Sequence, residues 1–529
     1  MTSSSHEAKG LPPSSHLGGG NLALPLRAAA ASHPDRAAIT HGGEAATVGE
    51  LEARSARAAA LLAARGVGRG DRVAIQLPNV PAFADFYFAV LRLGAVVVPV
   101  NPLLRAAESA YTLEDAEARV LIAWHAAEAP EPGAAAGVDV IRVEEPFGGA
   151  VLDGFEGDDA VVEVDPEETA VILYTSGTTG RPKGAELTHR NLGLNTRAVI
   201  GALAIGPDDV LLGTLPLYHS FGQTCTLNAS IAVGARLALL ARFDAAAAVG
   251  LVADEGVTIL MGVPTMLAGI AAAAADRGPL PSLRIAASGG APLPREQAET
   301  FERVTGVAVL DTWGLSETSP AATLNRPGET RVGSVGRPID GVEVRAVGDD
   351  GEALPAGETG QLAIRGHNVM KGYWRRPDAT AAAITPEGWF LTGDLGRLDE
   401  DGYVYVVGRL KDMIIRGGMN IYPREIEEVL HRHPAVSEVA VVGVPDERLG
   451  EEVGAAVVLA PGASAAPAEL REWLKQRVAP FKYARHVWTL DELPKGPTGK
   501  ILKREIHPPA ADTDDACRPL GDKRGEGAG

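Results

Sequence analysis

The chain has 529 residues, of which 46% are hydrophobic and 22% charged, and its formal net charge is -19. A chain of this length usually folds as several packed units, and its composition is typical of a soluble globular protein. Because nucleic acids and anionic membranes repel a polyanion, the charge excludes bulk binding to either as a partner. A small anionic ligand would need a locally basic site.

The number of cysteines and the first residues of the chain indicate in which cellular compartment the protein is expected. Two cysteines, Cys225 and Cys517, are too few for a disulfide framework and are typical of a reducing environment; Cys225 is predicted to lie in the core. The first residues lack the basic start and apolar core of a secretory signal. Residues 256–275 are long enough to span a membrane, but Pro264 interrupts them, so we predict a strand, a turn and a buried helix. We therefore expect a cytoplasmic protein with no transmembrane segment.

Apolar runs alternate with helical stretches along most of the chain. Residues 73–77, 170–174 and 439–443 are predicted as strands, and the alanine-rich residues 48–65 as a helix. This alternation indicates an α/β fold with largely parallel sheets.

We expect two domains between flexible tails, which are predicted at residues 1–20 and 506–529 because small and polar residues dominate there. The large N-terminal domain, residues 21–408, is built of α/β layers and contains a small β-rich subdomain towards its end. The small C-terminal domain, residues 409–505, is predicted as α+β.

The predicted C-terminal domain is unusually basic. It combines helices at 423–431 and 468–478 with a strand near Val439. Residues 471–504 contain nine lysines or arginines against three acids. Such a segment favours either a phosphate-rich partner or a simple solvated face, and the count does not separate the two.

The most specific motif reads Tyr-Thr-Ser-Gly-Thr-Thr-Gly-Arg-Pro-Lys-Gly over residues 174–184. Its glycines let backbone N–H groups approach phosphate oxygens, its hydroxyls donate further hydrogen bonds, and Lys183 adds a positive charge. A Walker loop is excluded, because Lys183 is preceded by proline and followed by glycine. We therefore predict a triphosphate-binding loop with these contacts: Thr175, Ser176, Gly177, Thr178, Thr179 and Lys183.

Five further motifs follow this loop. They are Leu-Pro-Leu-Tyr-His-Ser-Phe-Gly at 215–222, Ser-Gly-Gly-Ala-Pro at 288–292, Thr-Trp-Gly-Leu-Ser-Glu at 312–317, Trp-Phe-Leu-Thr-Gly-Asp at 389–394 with Gly-Arg at 408–409, and Pro-Thr-Gly-Lys at 497–500. Together with the loop, and in the same order, they resemble the adenylate-forming superfamily of acyl-CoA synthetases, luciferases and peptide-synthetase adenylation domains. Within it the chain is most similar to bacterial medium- and long-chain fatty-acid:CoA ligases.

The resemblance implies an ATP-dependent acid:CoA ligase, with Mg²⁺ as cofactor and ATP and CoA as co-substrates. A carboxylic acid and ATP would give an acyl-adenylate and pyrophosphate, and the thiol of CoA would then displace AMP. Rotation of the C-terminal domain about a hinge at Lys411 would separate the two steps, because they need different geometries.

The resemblance also implies roles for individual residues. Beyond the phosphate loop, the nucleotide-binding set is Gly290, Ala291, Pro292, Thr312, Trp313, Ser316, Asp394 and Arg409. The acyl pocket is His219, Phe221, Val263 and Gly289. The catalytic set is His219, Glu317 as a hard oxygen ligand for magnesium, and Lys500 as the cation that faces the developing charge at the α-phosphate.

Two positions depart from the family pattern. Trp313 stands where the family most often has tyrosine, and its flat ring is still expected to stack on adenine. Ile415 stands where plant coumarate ligases and luciferases have a lysine, so one contact to the adenylate is expected to be absent.

One hydrolase-like segment needs a separate explanation. Ser288 lies in an Ala-Ala-Ser-Gly-Gly run that superficially matches the nucleophile elbow of hydrolases. In that fold a helix begins at the serine, and Pro292 and Pro294 make such a start unfavourable here. A hydrolase is therefore disfavoured.

The acid and the acceptor are less well defined by the sequence. No cation stands near His219 or in residues 262–265 and 288–292, which argues against an acid with a second carboxylate and favours an unbranched fatty acid. An aryl or coumarate-type acid:CoA ligase, and an acyl-AMP ligase that loads a carrier protein, stay open as alternatives. A catalytically inactive nucleotide-binding protein is disfavoured because Glu317 and Lys500 are retained. The sequence predicts no oligomeric state.

Overall fold

A computed structural model of the chain describes residues 16–128, 137–175, 181–496 and 501–509. The chain forms two compact units that divide between Leu410 and Lys411.

The strands are numbered in chain order. Those of the first unit are β1 (Ala37–His41), β2 (Glu44–Thr47), β3 (Arg72–Gln76), β4 (Val96–Pro99), β5 (Ala118–Trp124), β6 (Asp139–Val143), β7 (Thr169–Thr175), β8 (Lys183–Thr188), β9 (Val210–Gly213), β10 (Arg236–Leu239), β11 (Ile259–Gly262), β12 (Ile285–Ser288), β13 (Val309–Gly314), β14 (Ala321–Leu324), β15 (Arg337–Pro338), β16 (Val342–Val347), β17 (Gly360–Gly366), β18 (Gly372–Tyr373), β19 (Phe390–Leu398) and β20 (Val404–Arg409). Those of the second unit are β21 (Ile414–Arg416), β22 (Met419–Ile421), β23 (Val436–Asp446), β24 (Gly450–Leu459) and β25 (His486–Thr489).

The helices follow the same numbering. The first unit contains α1 (Leu24–Ser32), α2 (Val48–Ala64), α3 (Pro81–Arg92), α4 (Ala106–Asp115), α5 (His189–Leu203), α6 (Ser220–Gly222), α7 (Ala229–Val233), α8 (Ala245–Asp254), α9 (Pro264–Ala274), α10 (Arg295–Thr305) and α11 (Pro377–Ala383). The second contains α12 (Pro423–His431) and α13 (Pro467–Lys475). A π-helical segment, Gln223–Asn228, joins α6 to α7.

Local sequence explains where many of these elements begin. Helix α2 starts with a capping box, in which Thr47 accepts a hydrogen bond from the backbone of Glu50 and the Glu50 carboxylate accepts one from the backbone of Thr47. Helix α9 has a proline in its first turn, where no N–H is needed. The strand, turn and buried helix that we predicted for residues 256–275 are therefore β11 and α9.

Two large sheets organise the first unit. Their strand orders are β18-β8-β7-β4-β3-β5-β6 and β15-β14-β13-β12-β11-β9-β10-β1-β2. The inner strands are parallel, whereas β8, β18, β14, β15 and β2 pair antiparallel at the edges. Loops that bind ligands in such sheets lie beyond the carboxyl ends of the parallel strands. Strand β12 ends there at Ser288, opposite Asp311 of β13, which continues to Gly314.

The predicted β-rich subdomain is a four-stranded antiparallel sheet in the order β16-β17-β19-β20. The second unit has a five-stranded sheet in the order β22-β21-β24-β23, with β25 parallel to β24. Helices α12 and α13 belong to the same unit, so the α/β class with a small α+β second unit is confirmed. Helix α13 ends at Lys475 rather than at residue 478.

The limits of the ordered fold differ from the predicted tails. Leu17 and Ile506, which we assigned to the tails, are both buried, so the packed chain extends further at each end than predicted. Cys225 is buried, as expected, and Cys517 lies outside the described residues. Among the residues that are described, none of the helices has both the length and the hydrophobicity that crossing a bilayer would require.

Candidate active site

The two flanks of the predicted triphosphate loop lie side by side. Thr175 ends β7 and Lys183 begins β8, and the two residues are cross-strand partners in an antiparallel pair. This hairpin brings a hydroxyl and a cation to the same point on the sheet. The other predicted loop contacts, Ser176, Gly177, Thr178 and Thr179, lie outside the described residues.

Lys183 lies over an aromatic ring. Its Nζ is 5.0 Å from the ring centroid of Tyr373, which belongs to the short edge strand β18 next to β8. The negative face of an aromatic ring attracts an ammonium group. Among the described residues, no carboxylate forms an ion pair with Lys183, so its charge is oriented without being neutralised.

Glu317 is oriented by two hydroxyl groups. It lies in a short 3₁₀ turn, Ser316–Thr318, directly after β13. Its Oε1 accepts hydrogen bonds from the Tyr373 hydroxyl at 3.0 Å and from the Thr175 hydroxyl at 3.3 Å. Burial, and then the Glu317 charge, raise the pKa of the Tyr373 phenol, so this group stays protonated and donates.

The surroundings of Glu317 fit the predicted role in binding magnesium. Within the described part of the chain, no lysine or arginine pairs with its carboxylate, and both of the hydrogen bonds above reach one oxygen. The carboxylate therefore offers hard oxygen donors that no described cation occupies, and such oxygens are the ligands that magnesium on ATP takes from proteins.

The predicted ribose contacts are direct neighbours. Asp394 on β19 and Arg409 on β20 are cross-strand partners, and Arg409 Nε lies 2.8 Å from Asp394 Oδ1. The indole Nε1–H of Trp313 donates to the other oxygen, Oδ2, at 2.8 Å. Each carboxylate oxygen still has a lone pair for a ribose hydroxyl.

Trp313 thus has a role that the sequence did not predict. Its side chain is buried and its N–H donates to Asp394, whereas stacking of its ring on adenine stays a prediction. The two residues are 81 positions apart in the chain, and no local pattern links them.

Three of the predicted acyl-pocket residues, Phe221, Val263 and Gly289, lie near one another beyond the carboxyl ends of β11 and β12. A Cβ built on Gly289 would lie 2.6 Å from Thr312 Oγ1 and 3.1 Å from the Phe221 ring. Gly290 has a φ of +78°, and a Cβ there would lie 3.6 Å from Val263. Both glycines are therefore needed, one for close packing and one for backbone conformation.

The rest of this loop leads into helix α10. Ala291 and Pro292 follow Gly290, and helix α10 begins at Arg295 rather than at Ser288. The serine therefore does not form a nucleophile elbow, and the argument against a hydrolase is confirmed.

His219 caps the helix that follows it. Its Nδ1 accepts a hydrogen bond from the backbone N–H of Phe221 at 3.2 Å. Because that nitrogen is the acceptor, the neutral imidazole carries its proton on Nε2. His219 and Phe221 are both half-buried, on the same turn.

The remaining predicted residues lie in the second unit or outside the described residues. Lys500 lies outside the described residues. Lys411 is the first residue of the second unit and lies in the turn Leu410–Asp412. Ile415 is exposed on β21 in that unit.

The basic segment of the second unit is largely paired with acids. Its ion pairs are Lys475 with Glu472, Lys482 with Glu425, Lys495 with Glu438, Lys503 with Glu427, and Arg504 with Glu505. Arg477 stacks over Trp473. This arrangement favours the solvated face over a phosphate-binding patch.

Comparison with known families agrees with this geometry. The model of the AMP-binding enzyme family matches residues 26–374, and that of the AMP-binding enzyme C-terminal domain matches residues 425–500. The chain belongs to the AMP-binding enzyme family.

Individual relatives of this AMP-binding enzyme differ in their acids. It is 42% identical over 487 residues to a feruloyl-CoA synthase of an Amycolatopsis species, covering 91% of this chain and 97% of that protein. It is 38% identical to a sulfoacetate–CoA ligase of Cupriavidus necator, covering 92% and 97%. Identity to a long-chain-fatty-acid–CoA ligase of Bacillus subtilis is 36%, covering 91% and 93%.

Solved structures lead to the same family. ATP-bound MatB from Rhodopseudomonas palustris has a TM-score of 0.85 at 35% identity and covers 92% of this chain and 97% of its own. The o-succinylbenzoate CoA synthetase of Bacillus subtilis, in complex with ATP and magnesium, has a TM-score of 0.82 at 31% identity, covering 92% and 99%. The chain is therefore an AMP-forming acyl-CoA synthetase, with an acid, ATP and CoA as its substrates.

Proposed function

We propose that the enzyme activates a monocarboxylic acid with an apolar body, a medium- or long-chain fatty acid, and transfers its acyl group to CoA. The observation that carries this proposal is the lining of the predicted acyl pocket. The side chains that meet there are Phe221, Val263 and Thr312, around Gly289 and Gly290, and none of them is charged. A second carboxylate or a sulfonate would be left without a partner at these residues.

In the first step the protein holds Mg-ATP and the acid together. Lys183 and the loop before it bind the triphosphate, and Asp394, held by Arg409 and Trp313, accepts the ribose hydroxyls. Glu317 would hold magnesium, which when bound offsets part of the triphosphate charge. His219 donates from Nε2 to an oxygen of the acid, and Lys500 stabilises the charge that develops at the α-phosphate.

In the second step the thiol of CoA attacks the acyl-adenylate and AMP leaves. Lys411 acts as the hinge between the two steps, a role supported by its position at the division between the two units. One site can then serve two reactions, because adenylation and thioester formation use different groups of the C-terminal unit.

An aryl acid is the second candidate for the substrate. It is favoured by the 42% identity to a feruloyl-CoA synthase and by the Phe221 ring, which lies against the backbone at Gly289 and offers a flat apolar surface. A hydroxycinnamate would have the single carboxylate that the pocket allows.

An acid panel with CoA, measured by AMP release, decides between these substrates. We expect kcat/KM to rise from octanoate towards palmitate by up to about fourfold per methylene until the pocket is full, since each buried methylene contributes about 0.8 kcal/mol. Ferulate or coumarate above all fatty acids would establish the aryl candidate instead. Sulfoacetate as the best substrate would contradict both.

The acceptor is tested in the same assay. Rapid acid-dependent AMP release that requires CoA supports thioester formation with CoA. Turnover that stops at acyl-adenylate with CoA, but proceeds with a carrier protein, would identify an acyl-AMP ligase.

A further inference from the structure

Tyr373 touches two charged groups of the proposed site at once. Its hydroxyl lies 3.0 Å from Glu317 Oε1, and its ring centroid lies 5.0 Å from Lys183 Nζ. Neither the sequence motifs nor the roles described above include it.

The chain places this side chain by a very short strand. β18 has only two residues, and its pairing with β8 sets Tyr373 opposite Ala185, two residues after Lys183 in the chain. The backbone N–H of Tyr373 donates to Thr380 Oγ1 at 2.9 Å, which anchors the strand to α11. The ring therefore has a defined position at the edge of the sheet, beside the phosphate hairpin.

We propose that Tyr373 is a positioning residue for Mg-ATP: its hydroxyl orients the Glu317 carboxylate, and its ring orients the Lys183 ammonium. The inference rests on the proposed function of these two residues. A neutral hydroxyl fixes a carboxylate without forming an ion pair, so the negative charge stays available to a metal ion. An aromatic face likewise holds a cation without neutralising it, so the positive charge stays available to phosphate.

The two contacts predict different losses. Tyr373→Phe removes the hydroxyl and keeps the ring, whereas Tyr373→Leu removes both. We expect Tyr373→Phe to weaken binding of the magnesium complex of a non-hydrolysable ATP analogue by about tenfold, as for a hydrogen bond to a charged group, and to leave binding in EDTA unchanged. Tyr373→Leu should weaken binding in both conditions, because Lys183 also loses its ring.

Isothermal titration calorimetry on the full chain, with Mg²⁺ and with EDTA, measures these affinities. The matched control is Tyr405→Phe, since the Tyr405 hydroxyl also donates to a carboxylate, Asp399 Oδ2, at 3.1 Å, and neither residue belongs to the site. This control should keep both affinities. Glu317→Gln is the reference variant: it should lose only the increase in nucleotide affinity that magnesium provides.

The outcomes separate this inference from the proposed function. If Glu317→Gln loses magnesium-dependent affinity and Tyr373→Phe does not, Tyr373 has no positioning role. If the wild-type protein binds no nucleotide, or Glu317→Gln has no effect, the proposed site itself is wrong. Should Tyr373→Phe fail to fold, Thr175→Val removes the other hydroxyl from the same Glu317 oxygen; unchanged binding of the magnesium complex would then overturn positioning by hydroxyl groups.

Discussion

The two units of the chain surround their lysines with different partners. In the first unit, Lys183 faces the ring of Tyr373. In the second unit three described lysines of the basic segment lie against carboxylates: Lys482 is 2.7 Å from Glu425, Lys495 is 2.7 Å from Glu438 and Lys503 is 2.6 Å from Glu427.

This difference shows that a count of basic residues in a sequence does not locate a phosphate-binding site. The count of basic residues in 471–504 suggests that this segment binds a polyphosphate, yet the described lysines of the segment are paired with acids. The lysine that we expect to bind phosphate lies in an acidic protein, in residues 174–184, where Arg181 is the other cation. The surroundings of a charge, rather than the number of charges nearby, decide whether it is available to a ligand.

The largest effect is expected for Lys500, because it is predicted to be catalytic. It also belongs to the basic segment, so the variant tests whether this segment is only structural. Lys500→Ala should reduce acid-dependent pyrophosphate exchange by about a hundred- to thousandfold, the usual loss when one preorganised charge-stabilising group is removed. Thioester formation from supplied acyl-adenylate should be largely preserved. Normal exchange in this variant would show that the whole segment, Lys500 included, is structural.

A smaller effect than that of Lys500→Ala is expected at Asp394. Its carboxylate is held both by the cation of Arg409 and by the neutral indole of Trp313. Trp313→Phe removes only the neutral donor, and we expect the KM for ATP to rise about tenfold, as for the loss of a hydrogen bond to a charged group. Trp473→Phe is the matched control, because the Trp473 indole N–H donates to the carbonyl of Val429 in the second unit. Equal KM values in the two variants would mean that Arg409 alone positions Asp394.

The smallest effect is expected where a lysine is already paired. Lys482→Met and Lys495→Met should change the KM for ATP less than twofold, because their ammonium groups face Glu425 and Glu438. Each should lower the free energy of unfolding by about 0–1 kcal/mol, the usual range for surface ion pairs. Steady-state kinetics measure the KM for ATP of both variants, and urea unfolding measures their stability. A large loss of adenylation would show that the paired lysines of the second unit also serve the reaction.

Features that depend on neighbouring residues could be predicted from the sequence. The strands β3, β7 and β23 and the helix α2 follow from runs of apolar or helix-forming residues. The predicted end of α13 is too late, because the helix-forming residues Gln476 and Arg477 and the apolar Val478 continue the helical pattern beyond Lys475.

Features that depend on pairing between distant segments could not be predicted. Tyr373 contacts Glu317 and Lys183 only because β18 adds to the edge of β8, and a strand of two residues has no periodicity to detect. The bond from Trp313 to Asp394 joins two different sheets. In both cases the motif identified one partner, while the tertiary structure supplied the other.

The glycines after β12 also indicate where the enzyme is open to redesign. Even an alanine at Gly289 would begin 2.6 Å from the Thr312 hydroxyl, so substitution there would have to displace Thr312 and shift the Phe221 ring. Val263 is different, since its side chain is half-buried and lies 3.6 Å from the point where a side chain on Gly290 would begin. A directed library that aims at new acids should therefore randomise Val263 and keep Gly289, so that the diversity falls on a side chain that can change size without disturbing the backbone on which the nucleotide is expected to rest.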